Sequence, residues 1–198
     1  MDNPMKKYFL VSAVMLASCD ASAASFIKDW DGKVTATFHG DPYFTAPERK
    51  AVERGFATWK KQTGGQVDMS IVWDLNPAKL PLTNSVVRFT TRQVQALGKD
   101  PLGVFAGLTI RRFEDDRAMF LLIPTTLQES YTTWTTTTMH ELGHVLGLTH
   151  TEEPNSLMND TIGDDTLPCL TKYDMIAFCK VNTCGFYALS PCAKGSTK

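Results

Sequence analysis

The residues with the clearest chemical potential run from His140 to His150, in the order His140, Glu141, Leu142, Gly143, His144, Val145, Leu146, Gly147, Leu148, Thr149, His150. The pattern is H-E-x-x-H-x-x-G-x-x-H. On a helix, residues four apart lie on one face about a turn from each other, so His140 and His144 can offer ring nitrogens to one metal ion. Gly147 is the residue type that adopts the left-handed conformation ending a helix, and such a turn lets His150 reach the same ion. With 4 His and 13 Gly in 198 residues, a chance match at the five fixed positions has a probability on the order of 10⁻⁸ to 10⁻⁷ per starting point. The bland alternative, three unrelated histidines on an amphipathic helix and loop, is correspondingly weak.

Three neutral imidazoles leave a zinc ion its full charge and an open fourth position, the arrangement of a catalytic rather than a structural site. Water bound there becomes acidic enough to supply hydroxide near neutral pH. Glu141, beside His140, can take that proton and return it to a leaving amine. The chemistry expected of the stretch is metal-assisted hydrolysis with Glu141 as the acid/base, and one catalytic zinc is the cofactor expected.

These side chains need a scaffold, and the upstream sequence predicts one. Val34, Ala36 and Phe38 alternate with Thr35, Thr37 and His39 as in a half-buried strand. Thr45 and Glu48 have capping-box spacing, and Val52, Phe56 and Trp59 form an apolar stripe, which predicts a helix from about Ala46 to Lys61 ended by Gly64 and Gly65. Further strands are predicted over Val67–Trp73, Ser85–Thr90, Gly103–Phe113 and Ala118–Ile123. The threonines at 132, 133 and 135–138 around Trp134 favour a strand by propensity. Metal geometry requires the i, i+4 relation, so Thr132 onward is read as helix. Asp174, Met175, Phe178 and Val181 have the spacing of a last helix.

The length of 198 residues suits one domain with a sizeable core. A net charge of −1 with 21% charged residues provides no basic field for nucleic acid. Residues 1–23 read as a signal peptide, with Lys6 and Lys7 ahead of the short apolar run Tyr8–Leu16. Two processing sites compete: cleavage after Ala23 of Ala21-Ser22-Ala23, or before Cys19 in Leu16-Ala17-Ser18-Cys19, which resembles a lipoprotein box and would make Cys19 the lipidated N-terminus. Residues 24–198 would form the single catalytic domain. The chain is expected to be exported, secreted or periplasmic, with a membrane connection only through that lipid. Cys169, Cys179, Cys184 and Cys192 remain, an even number in an exported chain. Two disulfides with three open pairings are expected, in preference to a zinc knuckle, for which the spacing lacks a C-x-x-C pair.

The eleven-residue motif, Thr151 after its third histidine, and Met158 eight residues beyond His150 resemble the metzincin metalloproteases, and most closely the matrixin branch. The resemblance extends over about residues 30 to 182. It implies an α+β, zincin-like fold: a mixed, twisted five-stranded sheet with an antiparallel edge strand, an active-site helix, and a small C-terminal subdomain with a Met-turn and final helix. It implies zinc on His140, His144 and His150, Glu141 as acid/base, and Met158 beneath the metal. The strand containing Val104, Phe105, Ala106, Gly107 and Leu108 would be the edge on which an extended peptide substrate adds.

Departures from that family are also visible. Nothing between the leader and the first strand resembles a cysteine-switch propeptide, so latency by that route is not expected. Only His39 is left over, so a second, structural zinc is not expected, and His39 itself reads as a surface or packed residue. Asn159 and Asp160 stand where the family has an aromatic residue and proline, so the wall of the specificity pocket departs from the pattern. Glu114, Asp115 and Asp116 read as a solvated acidic turn rather than a calcium site. Tyr173 reads as a packing residue rather than a phenol donor. The expected function is that of an exported, monomeric zinc endopeptidase acting on peptides or proteins. The alternative is a zinc-containing envelope module that holds peptides without cutting them.

Overall fold

The computed structural model of the chain describes residues 33–76, 84–88, 107–112, 117–122, 131–160, 168–184 and 187–192. The elements are β1 (Val34–Gly40), α1 (Ala46–Gln62), β2 (Val67–Val72), β3 (Ser85–Arg88), β4 (Gly107–Arg112), β5 (Arg117–Leu122), α2 (Tyr131–Val145) and α3 (Lys172–Val181). Among the described residues the result is a mixed α+β arrangement of a small sheet and three helices. In the sheet the strands follow the order β2-β1-β3-β5-β4. β1 pairs in parallel with β2 and β3, and β3 in parallel with β5, whereas β4 runs antiparallel to β5 with Gly107 opposite Leu122. Among the described residues β4 thus lies at one end of the sheet, bonded on one side only. The leader, the acidic turn at Glu114–Asp116 and the Val104–Ala106 part of the expected edge strand lie outside the described residues.

Helix α1 starts where its capping residues stand. Glu48 Oε2 accepts from the Thr45 backbone N–H at 2.7 Å, and the same carboxylate takes a fork of bonds from Arg88, with Nη2 to Oε1 at 2.9 Å. One side chain therefore caps α1 and ties it to β3. The helix ends at Gly64 and Gly65, both with positive φ. Its apolar stripe, with Val52, Phe56 and Trp59 buried, packs between the sheet and α2, and the Trp59 indole N–H donates to the Met139 carbonyl at 2.9 Å.

The threonine-rich start of α2 is helical because its hydroxyls find acceptors within the fold. Thr136 and Thr138 bond back to the carbonyls of Thr132 and Trp134, and Thr135 crosses to the Ala51 carbonyl of α1 at 3.2 Å. Burial of Thr135, Thr136, Thr137 and Thr138, with Thr135 and Thr138 against α1, overrides the strand propensity of the residue type. Gly55 allows this approach, since a Cβ there would stand 2.7 Å from Thr138 Cγ2.

The C-terminal segment is stapled back onto α1. The disulfides are Cys169–Cys192 and Cys179–Cys184, which selects one of the three pairings open in the sequence. Buried Gln62 at the end of α1 accepts from Leu170 N at 2.7 Å and donates to the Ser190 carbonyl at 3.0 Å. Tyr173 corrects the sequence expectation of packing: it is 46% exposed, because the buried face of α3 is taken by Asp174, Met175 and Phe178. Among the described residues, no helix is long and apolar enough to cross a membrane.

Candidate active site

Helix α2 carries His140, Glu141 and His144 in its last turns and then stops. Leu148 N bonds to the Gly143 carbonyl at 2.9 Å and Gly147 N to the His144 carbonyl at 3.0 Å, with Gly147 at φ 90°. This pair of bonds is a Schellman ending, for which glycine is suited because the left-handed conformation clashes with a Cβ. The reversed chain then delivers His150 to the two helical histidines. The three Nε2 atoms form a triangle with every side 3.1 Å.

The outer ring nitrogens explain the geometry. His140 Nδ1 lies 2.7 Å from the Leu157 carbonyl, and His144 Nδ1 lies 2.9 Å from the Leu148 carbonyl. A carbonyl can only accept, so each Nδ1 carries the proton and each Nε2 presents a lone pair. Two lone pairs 3.1 Å apart with no proton between them repel each other, and a cation relieves that repulsion. Tetrahedral zinc at about 2.0–2.1 Å from each nitrogen would separate its ligand atoms by about 3.3 Å, so the donor set fits this metal.

Electrostatics favour neutral imidazoles at His140 and His144. Desolvation, with a further contribution from the neighbouring His144, pushes His140 down to about 3. His144 is lowered by burial, against the opposing bond to Leu148. Glu141 is 4% exposed, and burial pushes its carboxyl up to about 7, with a hydrogen bond from Thr109 acting in the opposite direction.

Beneath the histidines the chain from Thr151 to Asn159 closes on itself. Thr151 N donates to the Met158 carbonyl at 3.0 Å, and Thr151 bridges to Asn159. Met158 is buried, and Gly143 leaves room for it, since a Cβ at Gly143 would collide with the Met158 sulfur. The carboxylate of Asp174, at the start of α3, accepts from Ser156 Oγ at 2.5 Å, Leu157 N at 3.1 Å and Thr171 Oγ1 at 2.7 Å. Through Leu157 this network reaches His140.

The structure therefore brings together His140, Glu141, His144, His150 and Met158, and places Gly107 of β4 against the Glu141 carboxylate. His39 is elsewhere, with Nδ1 2.7 Å from Asp74 Oδ1. Sequence reasoning missed Thr109, Ser156 and the buried role of Asp174. The capping-box spacing of Thr171 and Asp174 was a usable signal for Asp174, whereas nothing local marked Thr109.

No curated protein matches the chain in sequence. The family model for matrixin, a peptidase family, matches residues 29–180, more than half of the chain. With a helix-borne histidine pair, a third histidine beyond a glycine turn and a buried methionine below them, the chain belongs to the matrixin family.

Proposed function

We propose that the chain is a zinc-dependent endopeptidase in which His140, His144 and His150 hold the metal and Glu141 is the acid/base. The observation that carries this reading is the Nε2 triangle, in which two proton-free nitrogens are locked toward each other by the Leu157 and Leu148 carbonyls. When bound, zinc would polarise the scissile carbonyl and acidify a water molecule. The protein supplies the rest. Glu141, buried beside His140 with its carboxylate held by Thr109, is placed to accept a proton from water and pass it to the leaving amine.

The end strand of the sheet supports a peptide substrate. Among the described residues β4 pairs only with β5, which leaves its outer edge for main-chain addition, with Gly107 and Leu108 of the expected edge at its start. In this reading Met158 is the floor under the metal, and the C-terminal subdomain with α3 supports it. Residues 1–23 would act as the export signal, with Cys19 or the residue after Ala23 as the mature terminus. Residues 24–198 would then be one exported, monomeric catalytic domain.

A binder that holds peptides without cutting them would need the metal and the edge strand but no buried carboxylate beside them, and Glu141 favours the peptidase. The test is incubation of the processed domain with a mixed peptide library, with and without a chelator. Cleavage that the chelator abolishes is expected, and retention of peptides without any cleavage would favour the binding module.

A further inference from the structure

The carboxylate of Glu141 is held from outside its own helix. Thr109 Oγ1, on β4, lies 2.5 Å from Glu141 Oε2 and 3.1 Å from the Glu141 carbonyl oxygen. A hydroxyl has one proton to give, and the shorter contact to the carboxylate is the stronger acceptor. Two residues earlier on the same face of β4, Gly107 lies against the other oxygen, where a Cβ would collide with Oε1. Among the described residues, Thr109 is the only side chain that donates to this carboxylate.

We propose that Thr109 is a positioning residue for Glu141, and that β4 therefore does two things: it offers an edge to the substrate and orients the general base. Thr109 occupies Oε2, Gly107 makes room for Oε1, and the carboxylate is fixed in rotation with one oxygen left to take a proton. A general base works only within hydrogen-bond reach of the proton it removes, so a carboxylate free to rotate would spend less time in a productive orientation. Because the bonded residue sits on the strand that receives the peptide, docking of substrate on β4 and alignment of Glu141 are mechanically joined.

This inference rests on the reading of Glu141 as the acid/base. Its test uses Thr109→Val, which keeps shape and strand propensity but removes the hydroxyl, and Thr109→Ser, which restores it. Thr109→Val should lower kcat roughly ten- to hundredfold, with KM within about twofold of wild type, and Thr109→Ser should recover most of kcat. In metal-free protein, the denaturation midpoints of Thr109→Val, Glu141→Ala and the double variant should be non-additive, reporting the contact without reference to turnover. Wild-type kcat in Thr109→Val, equal loss in Thr109→Ser, or additive midpoints would overturn the proposal. A wild-type chain that binds zinc but cleaves nothing would instead overturn the peptidase reading itself.

Discussion

His140 Nδ1 donates to the Leu157 carbonyl across 2.7 Å, and the N–H of that same Leu157 donates to Asp174 Oδ2 at 3.1 Å. The His140 ring on α2 is thus oriented by a loop that α3 holds in place. Bonds of this kind set the tautomer and orientation of a ring that is to hold a metal, and so tune its affinity.

Asp174 should therefore matter to zinc although it lies outside the ligand set. Asp174→Asn, which keeps one acceptor, is expected to weaken zinc binding about 10- to 100-fold. Chelator-competition titration measures this, and an unchanged zinc Kd would separate α3 from the metal site.

Gly143 is required by packing rather than by helix formation. Its missing Cβ leaves the space filled by the Met158 sulfur. Gly143→Ala should cost about 1–3 kcal/mol through overpacking, despite the better helix propensity of alanine. A rise in thermal midpoint for this variant would show that the contact relaxes freely.

Acid should loosen the junction of α1 and β3. Burial tends to raise the Glu48 pKa, but hydrogen bonds from Arg88 and Thr45 outweigh it, and the net shift is below the ordinary 4.5. A depressed carboxyl contributes stability above its unfolded pKa, and that contribution is lost as pH falls through the folded value. Glu48→Gln should cost about 1–3 kcal/mol at pH 7, with the gap to wild type narrowing below pH 4.5. Chemical denaturation across pH checks it, and a gap that stays constant down to pH 3 would contradict it.

The two disulfides should contribute unequally. Cys169–Cys192 closes a separation of 23 residues and Cys179–Cys184 only 5. By loop-closure entropy the longer one is worth about 3 kcal/mol and the shorter one less. Cys169→Ser with Cys192→Ser should lower the denaturation midpoint more than Cys179→Ser with Cys184→Ser, and the reverse order would count against this account.

The three-histidine group was legible because its geometry converts directly into spacing: i, i+4 on a helix, then a glycine turn. The Val34–Phe38 alternation and the Thr45/Glu48 cap located β1 and α1 within about a residue, since both depend on local patterns. Thr132–Thr138 shows the limit of propensity, which alone argues for a strand. The histidine spacing points to helix, and the hydroxyl acceptors at Thr132, Trp134 and Ala51 supply the physical reason. Thr109 and the cysteine pairing depend on contacts between residues distant in sequence, for which no spacing rule exists. Tyr173 failed for a related reason, since the helical pattern of α3 did not fix which residues would find room beneath it.

Glu141→Gln, assayed for zinc content and peptide turnover in the same preparation, tests the central claim most directly. Bound zinc near one equivalent, with turnover reduced by about a hundredfold or more, is the predicted result. Full turnover in that variant would contradict the assignment of Glu141 as the acid/base.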